Sequence, residues 1–287
     1  MDLLIKELWL IPRRIIYELA QTRNGGENVK KGIAALVTAI VLAVTAAVYA
    51  PPKGGFRPDT TEFPEPPRTD FRPWLTSTES ITLYILDQEA SPPPWAGGGK
   101  PGGKTTGYKI IAKWMNTPVT YIFDYDGSGL SEDQVRYALS AASEEWDSWT
   151  SADLANNYVA YDETANFDPP EAPDTRNEVS WGNYPTAGVI AVCRMWGVFS
   201  GKPSQRQITE FDIMFDTDYA WGDAKANPTV MDLQNIATHE LGHGIAGLDD
   251  MYDDTELTMY AYSTYGEIKK RDLAQGDING VQANYGK

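Results

Sequence analysis

His239, Glu240 and His243 spell His-Glu-x-x-His, and Asp249 and Asp250 follow shortly after. On a helix, residues i and i+4 lie about 40° apart around the axis and about 6 Å apart along it, so both imidazoles lean off one face. Two imidazoles at that separation can hold one Zn²⁺ at Zn–N distances of about 2.0–2.1 Å. Glu240, beside the first ring, is placed to take a proton from a water that such a metal activates. The same spacing arises by chance in ordinary helices, but composition argues against chance here. The chain has two histidines in 287 residues, and they are these two. No third imidazole is left. Cys193, the single cysteine, lies far upstream in the apolar run Val189-Ile190-Ala191-Val192-Cys193, where a buried thiol is its simplest role. The third ligand is therefore expected to be a carboxylate, with Asp249 and Asp250 the nearest candidates.

These groups need a helix that starts and stops in the right place. Asp232 can cap it, and Leu233, Ile236 and Ala237 give it an apolar side before His239. Gly247 marks its end. Upstream, Val119 to Phe123 reads as a first strand, and Ser131 with Gln134 as a capping box. Val135, Ala138, Leu139, Ala142, Trp146 and Trp149 then form the stripe of a helix laid on a sheet. Further strands are expected at 178–182, 188–196 and 208–215. In the last, Phe211, Ile213 and Phe215 alternate with Asp212, Met214 and Asp216. The chain closes on a short helix burying Ile278, Val281 and Tyr285.

The stretch His-Glu-Leu-Gly-His-Gly-Ile-Ala-Gly-Leu-Asp-Asp, 239–250, resembles the metzincin zinc metallopeptidases and, among them, the matrixin-like branch. That family reads H-E-x-x-H-x-x-G-x-x-H, with Asp as the last ligand in some members. The family glycine falls on Ala246 here, with Gly247 one residue later. Counting from His243 makes Asp249 the ligand, and counting from Gly247 makes it Asp250. The turn after the glycine sets how the ligand swings back. Asp250 is therefore favoured, with one residue absorbed as a bulge near the helix end. The resemblance covers about residues 108–287. It implies an α/β (α+β) zincin-like catalytic domain: a twisted, mostly parallel sheet with flanking helices and a small C-terminal subdomain. It implies Met259 as the Met-turn residue beneath the ligand rings, and residues 260–267, with Tyr260 and Tyr262, at the rim of a substrate pocket. It also implies that the strand carrying Phe211 and Ile213 is the sheet edge that receives an extended peptide. The activity implied is zinc-dependent endopeptidase, with Glu240 as general base. Two alternatives are a zinc hydrolase of another clan with Glu267 as distal ligand, and a non-catalytic surface binding module that keeps its metal for stability.

Before this domain, Ile33 to Ala50 is uncharged and apolar, long enough to cross a bilayer, and preceded by Lys30 and Lys31. Flanking cations favour a cytoplasmic segment 1–32, a transmembrane anchor or signal segment 33–50, and a catalytic domain outside the cytoplasm. Cleavage near Ala50 would make the protein secreted, though Pro51-Pro52 disfavours it. Residues 51–107 read as a Pro/Gly-rich linker, in which the alternation Ile81, Leu83, Ile85 marks a short strand. This segment has no cysteine, so thiol-based latency of the kind many family members use is unavailable. The net charge of −16 disfavours a nucleic-acid partner, and the resemblance implies a protein or peptide substrate. It also suits Ca²⁺, whose ligands are oxygens, with Asp212, Asp216, Asp218 and Asp223 as contributors.

Overall fold

The structure, a computed structural model, describes residues 79–89, 107–156 and 159–287. In chain order the strands and helices are β1 (Glu79–Asp87), β2 (Lys113–Trp114), β3 (Ile122–Phe123), α1 (Glu132–Asp147), β4 (Ala160–Tyr161), β5 (Glu178–Gly182), β6 (Val189–Val198), β7 (Gln207–Asp216), β8 (Trp221–Gly222), β9 (Met231–Asp232), α2 (Leu233–Gly244), β10 (Tyr262–Ser263) and α3 (Gln275–Tyr285). One sheet runs β10-β1-β6-β7-β5-β3-β4, with β2 paired to the start of β7. The pairs are parallel except β1/β6 and β6/β7, so β6 runs against both its neighbours.

Helix α1 begins where the sequence says it should. Ser131 accepts from the Gln134 N–H while the Gln134 side chain accepts from the Ser131 N–H, satisfying two of the donors that a helix start leaves open. Val135, Leu139, Ala142 and Trp146 are fully buried against α2 and the sheet. Trp149 departs from the expected stripe: it lies beyond Asp147, where the helix has ended, and is 41% exposed. The first strand is shorter than expected, because Val119 makes only an isolated bridge to Ala155.

Two expectations change. β7 is not an edge: it lies inside the sheet between β6 and β5, and Phe211 and Ile213 are fully buried in the core. The short strand expected in the linker is β1. It is part of the main sheet rather than a separate unit, so the sheet begins ahead of residue 108. No helix among the described residues is long and apolar enough to cross a membrane. The segments 1–32 and 33–50 lie outside the described residues.

Candidate functional site

Helix α2 starts at Asp232, whose carboxylate accepts from the Asn235 N–H at 2.8 Å. The helix carries His239, Glu240 and His243 into the interior, where all three are fully buried. Its last turn is wider than an α-turn. The Ile245 N–H still reaches the Leu241 carbonyl, but the Ala246 N–H reaches that same carbonyl, five residues back, and the Leu248 N–H reaches Gly242. One extra residue is taken up here, as the offset glycine requires. Gly247 then turns the chain at φ +71°, and a Cβ there would sit 2.1 Å from the Ala112 carbonyl oxygen, so no other residue fits.

The widened turn decides which aspartate comes back. Asp250 Oδ1 lies 3.3 Å from His239 Nε2 and 3.5 Å from His243 Nε2, and the two Nε2 atoms are 3.2 Å apart. Asp249 faces the other way: its carboxylate pairs with Lys109, and its backbone N–H donates to the Lys109 carbonyl at 2.8 Å. Glu267 is also elsewhere. It takes hydrogen bonds from Ser263 Oγ at 3.0 Å and Asn235 Nδ2 at 3.3 Å, with Lys270 close by.

The three facing atoms suit a small dication. Four equal bonds of about 2.0–2.1 Å at tetrahedral angles put neighbouring donors about 3.3 Å apart, close to the three separations observed. His239 Nδ1 lies 2.7 Å from the Thr258 carbonyl and His243 Nδ1 2.7 Å from that of Leu248. A carbonyl can only accept, so each ring carries a proton on Nδ1 and turns Nε2 inward, the nitrogen left for a ligating lone pair. Asp250 Oδ1 has no hydrogen-bond donor of its own. Burial lowers the His239 pKa to about 4. Burial also opposes a proton on His243, but Asp250 outweighs it and raises that ring. Asp250 is itself desolvated, yet His243 and His239 together hold it well below the usual carboxylate range. Glu240 contrasts with this set. Neither of its oxygens is hydrogen-bonded, and desolvation, only partly offset by His243, pushes it up to about 8.

Support for the rings comes from residues that spacing could not reveal. Asp277, fully buried at the start of α3, accepts from the Thr258 and Met259 N–H groups at 2.8 and 3.1 Å. It thereby fixes the carbonyl that orients His239. The side chain of Met259 lies against α2 at Gly242, where a Cβ would meet its Sδ at 2.2 Å and Trp146 Cζ2 at 2.7 Å. Phe211, expected at a peptide-binding edge, packs under Gly244 instead, where a Cβ would lie 2.7 Å from its ring. Lys270, fully buried, donates to the Tyr260 carbonyl at 2.9 Å and holds the segment that leads to Tyr262.

A second group of acids, buried except for Asp174, gathers beside β5 and β7. Asp168, Glu210 and Asp212 bring ligand atoms within 4.8 Å of one another, as do Asp168, Asp174 and Glu178. Asp212 Oδ1 and Asp168 Oδ2 have no hydrogen-bond partner, and Glu178 Oε1 has only the Arg176 guanidinium at 3.3 Å. Burial, reinforced by the neighbouring carboxylates, pushes Asp212 up to about 9, and burial pushes Glu178 and Glu210 up to about 7. Of the four aspartates expected at a calcium site, only Asp212 belongs to this group. Asp216 takes its hydrogen bonds from the Asp218 and Tyr184 N–H groups, Asp218 accepts from Asn183, and Asp223 pairs with Arg271.

Comparison with known proteins gives the family. The sequence profile of the family described as Matrixin matches residues 113–286. Interstitial collagenase of Oryctolagus cuniculus is 28% identical over 186 residues, 61% of this chain and 33% of that protein. The chain thus spans about one third of the length of this curated relative. The match runs from β2 to the last turn of α3 and takes in the buried His-His-Asp group with the Glu240 beside it, and the chain belongs to the matrixin family of metallopeptidases.

Proposed function

We propose that the chain is a zinc-dependent endopeptidase in which His239, His243 and Asp250 hold the metal and Glu240 moves the proton. The observation that carries this reading is the triangle of inward donors, 3.2 to 3.5 Å on a side, with an unpartnered buried carboxylate on the same helix. Zinc, when bound, supplies a Lewis acid that polarises a carbonyl and brings the pKa of a water down towards about 7. Glu240 takes the proton that the attacking water loses and passes it to the leaving amine, a role worth typically about 10²–10⁴ in rate. The Thr258 and Leu248 carbonyls keep both rings in the ligating tautomer, and Met259 packed at Gly242 fixes the helix that carries them. The substrate is an extended peptide, held by backbone pairing at the rim that carries Tyr260 and Tyr262.

The test is metal content and peptide turnover of three full-length variants. Glu240→Gln should keep zinc and lose cleavage, Asp250→Ala should lose zinc, and Asp249→Ala should keep both. Zinc retained by Asp250→Ala would remove that residue from the ligand set, and cleavage by Glu240→Gln would end the assignment of the base.

Two finer elements belong to the same reading. Calcium fits the acidic group around Asp212, where only oxygens are offered and several lack donors. Residues 33–50, on sequence grounds, anchor the chain in a membrane with the peptidase outside the cytoplasm. Alkaline carbonate extraction of the full chain should leave it with the membrane, and quantitative release would point to a secreted protein.

A further inference from the structure

β1 occupies an unusual place for a strand that enters from ahead of the catalytic segment. It lies on the outer side of β6, antiparallel, from Glu79 opposite Gly197 to Ile85 opposite Ala191. The register then shifts between Ile85 and Leu86. Beyond the shift the strand is held from its other side as well: the Leu86 N–H donates to the Ala261 carbonyl and the Gln88 N–H to the Ser263 carbonyl, both at 2.9 Å, with β1 parallel to β10. β10 belongs to the segment that follows Met259, and β1 touches α2 directly. At the shift the Ile85 backbone N–H is turned towards the Glu240 carboxylate without closing a hydrogen bond. Ile85 and Leu86 are its two buried residues, while the rest of the strand is partly open to solvent.

An extended peptide presented to Glu240 needs a free strand edge on one flank and an opposing rim on the other. β6 supplies such an edge and β10 such a rim, and β1 already uses both. We propose that residues 79–87 are a tethered pseudo-substrate that closes the site in the intact chain, with the Tyr84–Ile85 peptide unit facing Glu240. The inference rests on the peptidase reading above. A strand tethered to the domain it fills competes at an effective concentration of about millimolar order. An outside peptide therefore meets a site that is open only part of the time, which raises its apparent KM and leaves kcat nearly unchanged.

The strand is built to leave. β6 is buried almost throughout, whereas β1 holds its outer half by backbone pairing and a few peripheral contacts. Glu79 accepts from the Phe199 N–H at 3.2 Å and from Ser200 Oγ at 2.9 Å, and Arg194 Nε donates to Thr82 Oγ1 at 3.2 Å. Losing β1 would uncover β6 and leave the order β6-β7-β5-β3-β4 intact. Residues 90–106, between β1 and Gly107, are rich in Gly and Pro.

The experiment compares steady-state turnover of an extended peptide by the full-length wild type, Thr82→Pro/Leu83→Pro and Glu79→Ala, each with and without Glu240→Gln. Of two neighbouring N–H groups in an edge strand one points into the ladder, so the double proline removes a pairing bond in either register. It should lower apparent KM about tenfold or more with kcat within about twofold, since that is the signature of removing a closed population. Glu79→Ala should move KM the same way by a smaller factor, and it keeps the test decisive should the prolines unfold the chain. A synthetic peptide of residues 79–87, added to the released variant, should restore competitive inhibition. Unchanged KM in both variants, beside a wild type that cleaves peptide, would make β1 a structural strand and leave the peptidase reading standing. Folded chains that all fail to cleave, whether or not Glu240 is replaced, would remove the peptidase reading and this proposal together.

Discussion

Two buried groups of potential ligands sit in one domain, and they solve the problem of burying charge in opposite ways. At His239, His243 and Asp250 the donors are mixed. Two rings are oriented by backbone carbonyls, and one aspartate is held well below its usual pKa by those rings, His243 foremost. At Asp168, Glu178, Glu210 and Asp212 the donors are all carboxylates, and their mutual repulsion adds to burial in holding protons on them. The first group faces its donors inward, and a dication there has only the proton that Asp250 favours on His243 to displace. The second must exchange protons for a cation. Buried ligands alone therefore do not define a kind of site; the outer hydrogen bonds do.

The sharpest way to break that contrast is Glu240→Gln. Peptide turnover should fall by about 10²–10⁴ while bound zinc is unchanged, because the variant removes a proton carrier and no ligand. Parallel loss of zinc would mean that Glu240 belongs to the metal's own support. Next in size is Asp277→Asn, which loosens the turn carrying the Thr258 carbonyl. Zinc affinity, measured by competition with a chelator, should drop about 10–100-fold. An unchanged affinity would show that the orientation of His239 does not depend on α3.

The acidic group predicts a pH dependence whose sign is fixed. Its folded pKa values, about 9 for Asp212 and about 7 for Glu178 and Glu210, lie above those of an unfolded chain. The native state thus keeps protons that the unfolded chain has released. The stability they confer is fully present below the unfolded carboxylate range and is lost as pH rises through about 7 and then about 9. In chelated protein Tm should fall between about pH 5 and about pH 9, and excess Ca²⁺ should flatten the profile. Asp212→Asn should raise Tm of the chelated protein at alkaline pH by about 2–4 °C and abolish the calcium response. A calcium response that survives it would place the cation elsewhere. Smallest of all should be Lys109→Ala, which frees Asp249. Its lysine is mostly exposed, so stability should change by no more than about 1 kcal/mol, read by denaturant melts, with zinc content intact.

Much of the candidate metal centre is local in sequence and could be read there. The His-Glu-x-x-His spacing, the cap at Asp232 and the offset of Gly247 all act within one helix and its end. The capping box of α1 is equally local. What could not be read is what the sheet assembles from afar. Alternation at Ile81, Leu83 and Ile85 announces a strand but carries no information about its partner, so its place on β6 was invisible. Phe211 and Ile213 alternate as an edge strand would, yet alternation is the same for an interior strand with two unlike faces. Asp277 and Lys270 look like surface charges until α3 and the segment after Met259 fold over them. Glu178 and Asp212 become neighbours only because β5 and β7 pair in parallel, opposite one another in register.

The wide last turn of α2 has a consequence for how such centres diversify. A single extra residue just ahead of the glycine shifts two hydrogen bonds at the helix end, and the Asp250 carboxylate still comes back to face the two rings. The length of the signature can therefore drift while its chemistry stays put, and a pattern that counts letters will pass over chains that keep the same three atoms in place.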